Sequence, residues 1–352
     1  MPLSVRVPLL LVTILSAMVL ALVTHEVGRL VAGRLMRMRM FRFTAGPIRI
    51  ERGPNGRRHV GWVRSVREVG GMAGMAYGTS RDGGGPRRAL LVSALGGPIA
   101  SVILGAVAMA PYFGLGLAAT TWARDGAVKA LAGGVMLYAV TSLALGVLTS
   151  VPNRFGGQAS DGERVRLLLR GGPVADRHAA LFATSGAYGA GVGPRDWDER
   201  FLAAILAPGD DGTFDAGFGR YLAYLHALDR EDAAAAAAHA RAMAAASAPP
   251  ALRHLLRAEA AYFAAAYEGD VASARARLAE AGASPLRDAY TRRRAELAIL
   301  VAAGDAAAGG TAFRDLAATA DADPNAGFLR DELRRLAAAT RHMGAPSVRA
   351  HG

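Results

Sequence analysis

Three apolar stretches before residue 154 restrict this chain more than any other feature. Residues 7–24 carry no charge, residues 89–123 form 35 consecutive uncharged positions, and residues 130–153 form a third such run. A hydrocarbon core about 30 Å thick needs roughly 20 helical residues to cross it. Spanning helices are therefore expected at about 7–35, 89–110 and 128–150. Pro111, Gly114 and Gly116 are expected to end the second helix, leaving residues 112–122 as an interfacial or re-entrant piece whose aromatics suit the headgroup level. A cleaved signal peptide fits the first run less well. Only Arg6 charges its start, no small-x-small site closes it, and further apolar runs follow.

Charge gives an orientation. Residues 34–88 hold thirteen arginines against Glu51, Glu68 and Asp82, ten of the net twelve positive charges of the whole chain. Arginine-rich short loops stay on the cytoplasmic side, so the first helix is expected to run inward, the second outward and the third inward. The remainder is then cytoplasmic. A nucleic-acid role for the basic loop is disfavoured, because it lies between spanning segments and has no zinc-finger, helix-turn-helix or ribonucleoprotein pattern. Anionic lipid suits it better. Arginine almost replaces lysine and alanine is abundant, a composition that points to a high-GC bacterial genome and hence to a bacterial cytoplasmic membrane. With no cysteine, disulfides and thiolate chemistry are excluded.

Within the basic loop, residues 41–63 alternate around Pro54-Asn55-Gly56, and Ile48 and Ile50 are expected to face Val60 and Trp62 across an Asn-Gly turn. The glycine-rich residues 70–85 show no periodicity and read as a loop. From residue 173 onward the charges nearly balance and apolar residues recur at helical spacing. This is expected to be a soluble α-helical domain, 173–352, with helices near 196–207, 214–228, 231–247, 251–267, 270–282, 286–303, 309–321 and 326–343. Two Gly-Asp turns, at Gly269-Asp270 and Gly304-Asp305, lie 35 residues apart, close to the 34-residue tetratricopeptide period. Plain α-hairpin packing is an equal alternative.

Ionisable residues inside a span are costly and default to functional candidates. The first run ends in Thr24-His25-Glu26-Val27-Gly28-Arg29, which puts His25 and Arg29 one turn apart on one face with Glu26 beside them. His-Glu-x-x-His uses that spacing for two zinc ligands and a general base; here Arg29 stands in the second histidine position. The second run carries Ala94-Leu95-Gly96-Gly97-Pro98-Ile99-Ala100. The third leads into Ser150-Val151-Pro152-Asn153 and on to Ser160-Asp161-Gly162.

In this order, the chain resembles the site-2 protease family of intramembrane zinc metallopeptidases over about residues 7–172. The resemblance implies an α-helical membrane protein with a three-helix core, 1–172, and a small β-hairpin insertion ahead of the soluble all-α domain. It implies His25 and Asp161 as zinc ligands and Glu26 as the catalytic acid/base. Gly97 and Pro98 match the family's Gly-Pro pair, and residues 43–50 with Gly46-Pro47 look like its membrane-associated hairpin, making all four candidates for the substrate groove. The cofactor implied is zinc, and the partner is a transmembrane protein, with peptide or protein docking on the helical domain.

Arg29 is the departure. A catalytic zinc keeps three protein ligands and an open position, whereas a guanidinium cannot deprotonate and repels a cation. Arg29 is expected to reach Asp161 across the bundle or Glu26 three residues back. Two functional readings follow: a scaffold that has lost zinc-dependent proteolysis and binds transmembrane partners, or an active intramembrane metalloprotease with a rescued site. Rescue would need another ligand. His59, in the cationic setting Arg57-Arg58-His59, suits none, and the other histidines beyond His25 are scattered through the tail.

Overall fold

The computed structural model describes residues 3–38, 42–45, 48–52, 58–62, 85–114, 126–155, 158–189, 191–282, 289–320, 331–334 and 336. The chain divides into two compact units, Met1–Gly186 and Ala187–Gly352.

The first unit is built on helices α1 (Leu3–Leu35), α2 (Pro86–Gly114) and α3 (Gly126–Ser150), each of which packs against the other two. Among the described residues, these three helices are long and apolar enough to cross a membrane. Their surfaces are inverted relative to a soluble bundle. Leu10, Leu15, Leu20 and Leu131 are exposed, while Ala17, Ala21, Ala89, Ala94 and Ala139 are buried. Without a hydrophobic drive between helices in lipid, association depends on close backbone approach, and small residues permit it.

Glycine marks the tightest points of that approach. A Cβ on Gly28 of α1 would overlap Ala100 and the Gly96 carbonyl of α2, and one on Gly96 would overlap Ala32. Across the second interface, a Cβ on Gly146 of α3 would lie 3.1 Å from the Pro98 carbonyl oxygen. The second helix runs through Pro111 to Gly114, four residues beyond the expected end at 110. Proline removes one N–H and kinks a helix, but neighbouring helices make that tolerable in a span. Here Tyr112, expected in an interfacial piece, continues the helix and donates its hydroxyl to the Ala132 carbonyl of α3.

Strands β1 (Arg42–Ala45), β2 (Ile48–Arg52) and β3 (Arg58–Trp62) form an antiparallel sheet in that order. Its register pairs Ile48 with Trp62 and Ile50 with Val60, so the two isoleucines do face Val60 and Trp62 as expected. Gly46, Pro47 and the glycine-rich residues 70–84 lie outside the described residues, as does the side chain of His59.

The third long apolar helix stops at Ser150, and Asp161 is not on it. A two-residue hairpin, β4 (Arg154–Phe155) and β5 (Gln158–Ala159), intervenes before α4 (Asp161–Arg170). Ser160 caps α4 by accepting from the Glu163 N–H at 3.1 Å. A Cβ on Gly162 would overlap the Ser150 carbonyl, so glycine is needed for the start of α4 to lie against the end of α3. Arg87, at the start of α2, donates from Nε to the Leu168 carbonyl of α4 at 2.7 Å.

The following helix, α5 (Pro173–Gly189), also belongs largely with the membrane unit, so the boundary expected at 172/173 falls inside that unit. The reason is packing: Ala179 and Phe182 of α5 cluster with Leu90 and Leu91 of α2 and Leu168 of α4.

The second unit begins with a 3₁₀ turn (Pro194–Asp196) and α6 (Glu199–Leu206). Three helical hairpins follow: α7 (Phe214–Asp229) with α8 (Ala233–Ala245), α9 (Pro250–Ala266) with α10 (Val271–Ala281), and α11 (Ala289–Ala302) with α12 (Ala306–Ala320). The first helices of successive hairpins also contact one another, α7 with α9 and α9 with α11. Each hairpin turns on a residue with positive φ followed by an aspartate cap. Gly269 (φ 67) precedes Asp270, which accepts from the Ser273 N–H, and Gly304 (φ 78) precedes Asp305, which accepts from the Ala308 N–H. The same turn occurs earlier at Glu231 (φ 60) and Asp232, where no glycine advertises it. Of the helix expected at 326–343, residues 331–334 and 336 are described, and they are helical.

Because α1 and α2 touch backbone to backbone at Gly28, Gly28→Ala should lower the unfolding free energy of the detergent-solubilised chain by about 1–3 kcal/mol. Gly133, with open space around its Cβ position, is the control. Gly133→Ala should leave unfolding unchanged, and equal losses in both variants would refute the close approach.

Candidate functional site

The buried stripe of α1 carries small residues until its last third, where it becomes polar. Thr24, His25, Glu26 and Arg29 are all buried, at 2–9 % exposure. His25 lies directly over Gly97: a Cβ there would stand 2.6 Å from His25 Nε2 and 2.8 Å from Arg29 Cγ. The Gly-Gly-Pro of α2 therefore has a local purpose, since only glycine leaves room for the imidazole between α1 and α2.

Both ring nitrogens of His25 are engaged. Nδ1 is 3.0 Å from Ser101 Oγ on α2, and Nε2 is 3.0 Å from Asp161 Oδ2 at the start of α4. An ionised carboxylate only accepts, so Nε2 carries the proton donated to Asp161, and the Ser101 hydroxyl donates to Nδ1. Ser101 is held in turn from α3, whose Ser142 hydroxyl donates to the Ser101 carbonyl at 3.0 Å.

Two guanidinium groups complete the cluster. Arg29 lies 3.5 Å from Glu26 Oε2 and 3.8 Å from Asp161 Oδ1, so it makes both contacts that its position allowed. Arg164, one turn along α4, lies 3.5 Å from the same Asp161 oxygen and stacks 5.2 Å from the centre of the Phe182 ring of α5. The carboxyl groups of Glu26 and Asp161 thus face two guanidinium groups. Burial pushes the Asp161 carboxyl up, but Arg29, the His25 hydrogen bond and Arg164 together hold it below the usual carboxylate value.

A groove of about 610 Å³ runs beside the cluster between α2 and α4. Its walls are largely apolar, with Pro98, Ile99 and Val102 on one side and Val165 and Leu169 on the other, and Asp161 and Arg166 as its charged members. Of the cluster, Asp161 alone lines this groove; His25, Glu26 and Arg29 sit behind it. Of the substrate-groove candidates, Pro98 lies in the wall and Gly97 faces His25 instead.

The residues present do not fit a catalytic zinc. Such a site needs three protein ligands, and no group of three His, Cys, Asp or Glu able to hold a metal occurs among the described residues. His25 Nε2 and Asp161 bond to each other, and the remaining Asp161 oxygen faces two cations. The line Asp161, His25, Ser101 has the order of a hydrolytic triad, but Ser101 has no exposed surface and does not line the groove.

Ser101 and Arg164 are the two members that sequence reasoning passed over. Ser101 follows Gly97 by one helical turn, and Arg164 follows Asp161 by three residues, a signal usable once Asp161 is known to open a helix. Comparisons with protein-family models, curated proteins and solved structures gave no match.

The depressed Asp161 carboxyl has a signed consequence. Its ionic contribution to stability is complete above the ordinary carboxylate value of 3.8 and fades as pH falls below it. Thermal unfolding of wild type and Asp161→Asn should therefore differ most near neutral pH, with the gap closing on acidification below about pH 4. A gap that does not change with pH would show that Asp161 is not ionised in the fold.

Proposed function

We propose that this chain is a membrane-embedded homologue of the site-2 proteases in which arginine has displaced the metal, and that it binds transmembrane partner segments without hydrolysing them. The observation that carries this reading is the pair of guanidinium groups, Arg29 and Arg164, on the one carboxylate that the resemblance assigns to zinc. A divalent cation brought to His25 and Asp161 would meet two fixed positive charges and find no third ligand. Glu26, the residue the resemblance makes the acid/base, is buried against Arg29 and stands outside the groove wall.

What survives of the protease architecture is the groove. Its apolar walls suit a transmembrane helix, and Asp161 and Arg166 offer a polar partner at one end. The arginine-rich segment between the first two spans supports a cytoplasmic position for the helical unit at a bacterial inner membrane, where its hairpins would serve as a docking platform for proteins or peptides.

The experiment is site-specific photo-cross-linking in intact membranes from Ile99 and Leu169, one on each wall, with lipid-facing Leu131 as control. Both wall positions should give the same membrane-protein adduct and Leu131 none. Glu26→Gln and a chelator should leave the adduct unchanged. A shortened partner that accumulates with wild type but not with Glu26→Gln would establish proteolysis and overturn the reading.

A further inference from the structure

The groove between α2 and α4 is open to the exterior of the bundle. Ile99, Ile103 and Leu169 in its walls are 50 %, 54 % and 65 % exposed. For a bundle that crosses a membrane that exterior is hydrocarbon, so the groove meets lipid before it meets any protein segment. Its α2 wall is one helical stripe. Leu95, Ile99 and Val102 follow Arg88 at i+7, i+11 and i+14, so a single face of α2 carries an exposed arginine at its start and the groove wall beyond it.

The α4 wall ends in the same way. Val165 and Leu169 lead to Arg170, exposed in the last turn, while Arg166 in the wall itself is held by both Glu163 oxygens. Arg87 draws the two arginine-bearing ends together. It donates to the Leu168 carbonyl, and a Cβ on Gly171 would stand 2.7 Å from its Nη2. Arg88 and Arg170 therefore flank one mouth of the groove, and no ion pair engages either among the described residues. The depth of the groove matches one leaflet. Ile103 lies fifteen residues beyond Arg88 on α2, about 22 Å at 1.5 Å per residue, and half of a bilayer with its headgroup region is about 20–22 Å.

We propose that the groove binds one anionic phospholipid of the cytoplasmic leaflet, its acyl chain between α2 and α4 and its phosphate between Arg88 and Arg170, whenever no partner segment is there. The proposal deepens the reading above and rests on it for the cytoplasmic position of the start of α2. Charge complementarity selects the occupant. Each arginine near the surface favours an anionic lipid, and a guanidinium matches phosphate geometry, whereas a zwitterionic lipid brings its own cation to the same mouth. A spanning helix could fill the apolar walls but has no phosphate to set between the two arginines. Protein adducts from Ile99 test the partner and lipid adducts test this site, so each can fail alone.

The test uses the intact chain in phosphatidylcholine vesicles doped with phosphatidylglycerol or phosphatidylcholine that carries a photoreactive group near the end of one acyl chain. After illumination, phosphatidylglycerol should label the stretch from Ile99 to Ile103 about tenfold more than the lipid-facing positions Leu20 and Val27 of α1, and about tenfold more than phosphatidylcholine labels that same stretch. Arg88→Gln with Arg170→Gln should bring the two lipids nearly level. Arg88→Lys with Arg170→Lys keeps both charges and should keep the preference. Labelling of α1 in the same sample reports that each variant is inserted. Equal labelling all round the bundle would mean bulk lipid only and would overturn the proposal, as would equal labelling of the groove by both lipids or a preference that survives the double glutamine variant.

Discussion

The fold of the membrane unit depends on one buried carboxylate. Asp161 receives His25 on one oxygen and two guanidinium groups on the other, and those contacts join α1 to α4 across a sequence distance of 136 residues. The rest of the unit is arranged to make them possible. Gly28 and Gly96 let α1 and α2 touch, Gly97 leaves space for the imidazole, Ser101 fixes its far nitrogen, and Gly162 lets Asp161 reach the end of α3.

Such an arrangement is expensive unless every charge is answered. Ions taken from water lose several kcal/mol each, and attraction in a dry interior repays this only with good geometry and matched partners. Here two carboxyl groups meet two guanidinium groups, and the imidazole of His25 bridges Asp161 and Ser101. A zinc ion brought to Asp161 would add two positive charges beside two guanidinium groups. A site of this kind positions helices and shapes a groove, with Asp161 as the point where the cluster meets it.

Much of the framework was legible because it follows from length and period. Apolar runs of membrane length became helices long and apolar enough to cross a membrane, and the alternation brought Ile48 and Ile50 opposite Val60 and Trp62. Illegible features came from contacts between distant segments. Pro111 looked like a helix end, yet α3 packs against that turn and Tyr112 bonds across to it. Between the helix expected to end at 150 and Asp161, nothing in residues 151–159 signals the pairing of β4 with β5; the Ser160 cap marks the helix that Asp161 opens, once a helix is sought there. Arg164 was missed for the same reason, since its spacing from Asp161 matters only on a helix. In the second unit, the break between the helices expected at 214–228 and 231–247 was legible, but its likeness to the two Gly-Asp turns was not, because Glu231 occupies a left-handed conformation that glycine marks at the other two. The buried Glu332 could not be foreseen at all, its partners, the Tyr267 and Tyr262 hydroxyls, lying 65 and 70 residues away.

The claim that arginine has taken the place of the metal is tested most directly by elemental analysis of the detergent-purified chain, after loosely bound ions are removed. Wild type should be measured beside Arg29→His and the double variant Arg29→His with Arg164→Gln. The account predicts no stoichiometric zinc in wild type and the highest content in the double variant, approaching roughly one equivalent, where a third ligand is restored and both cations are gone. Stoichiometric zinc in wild type would contradict it and return the chain to the metallopeptidases.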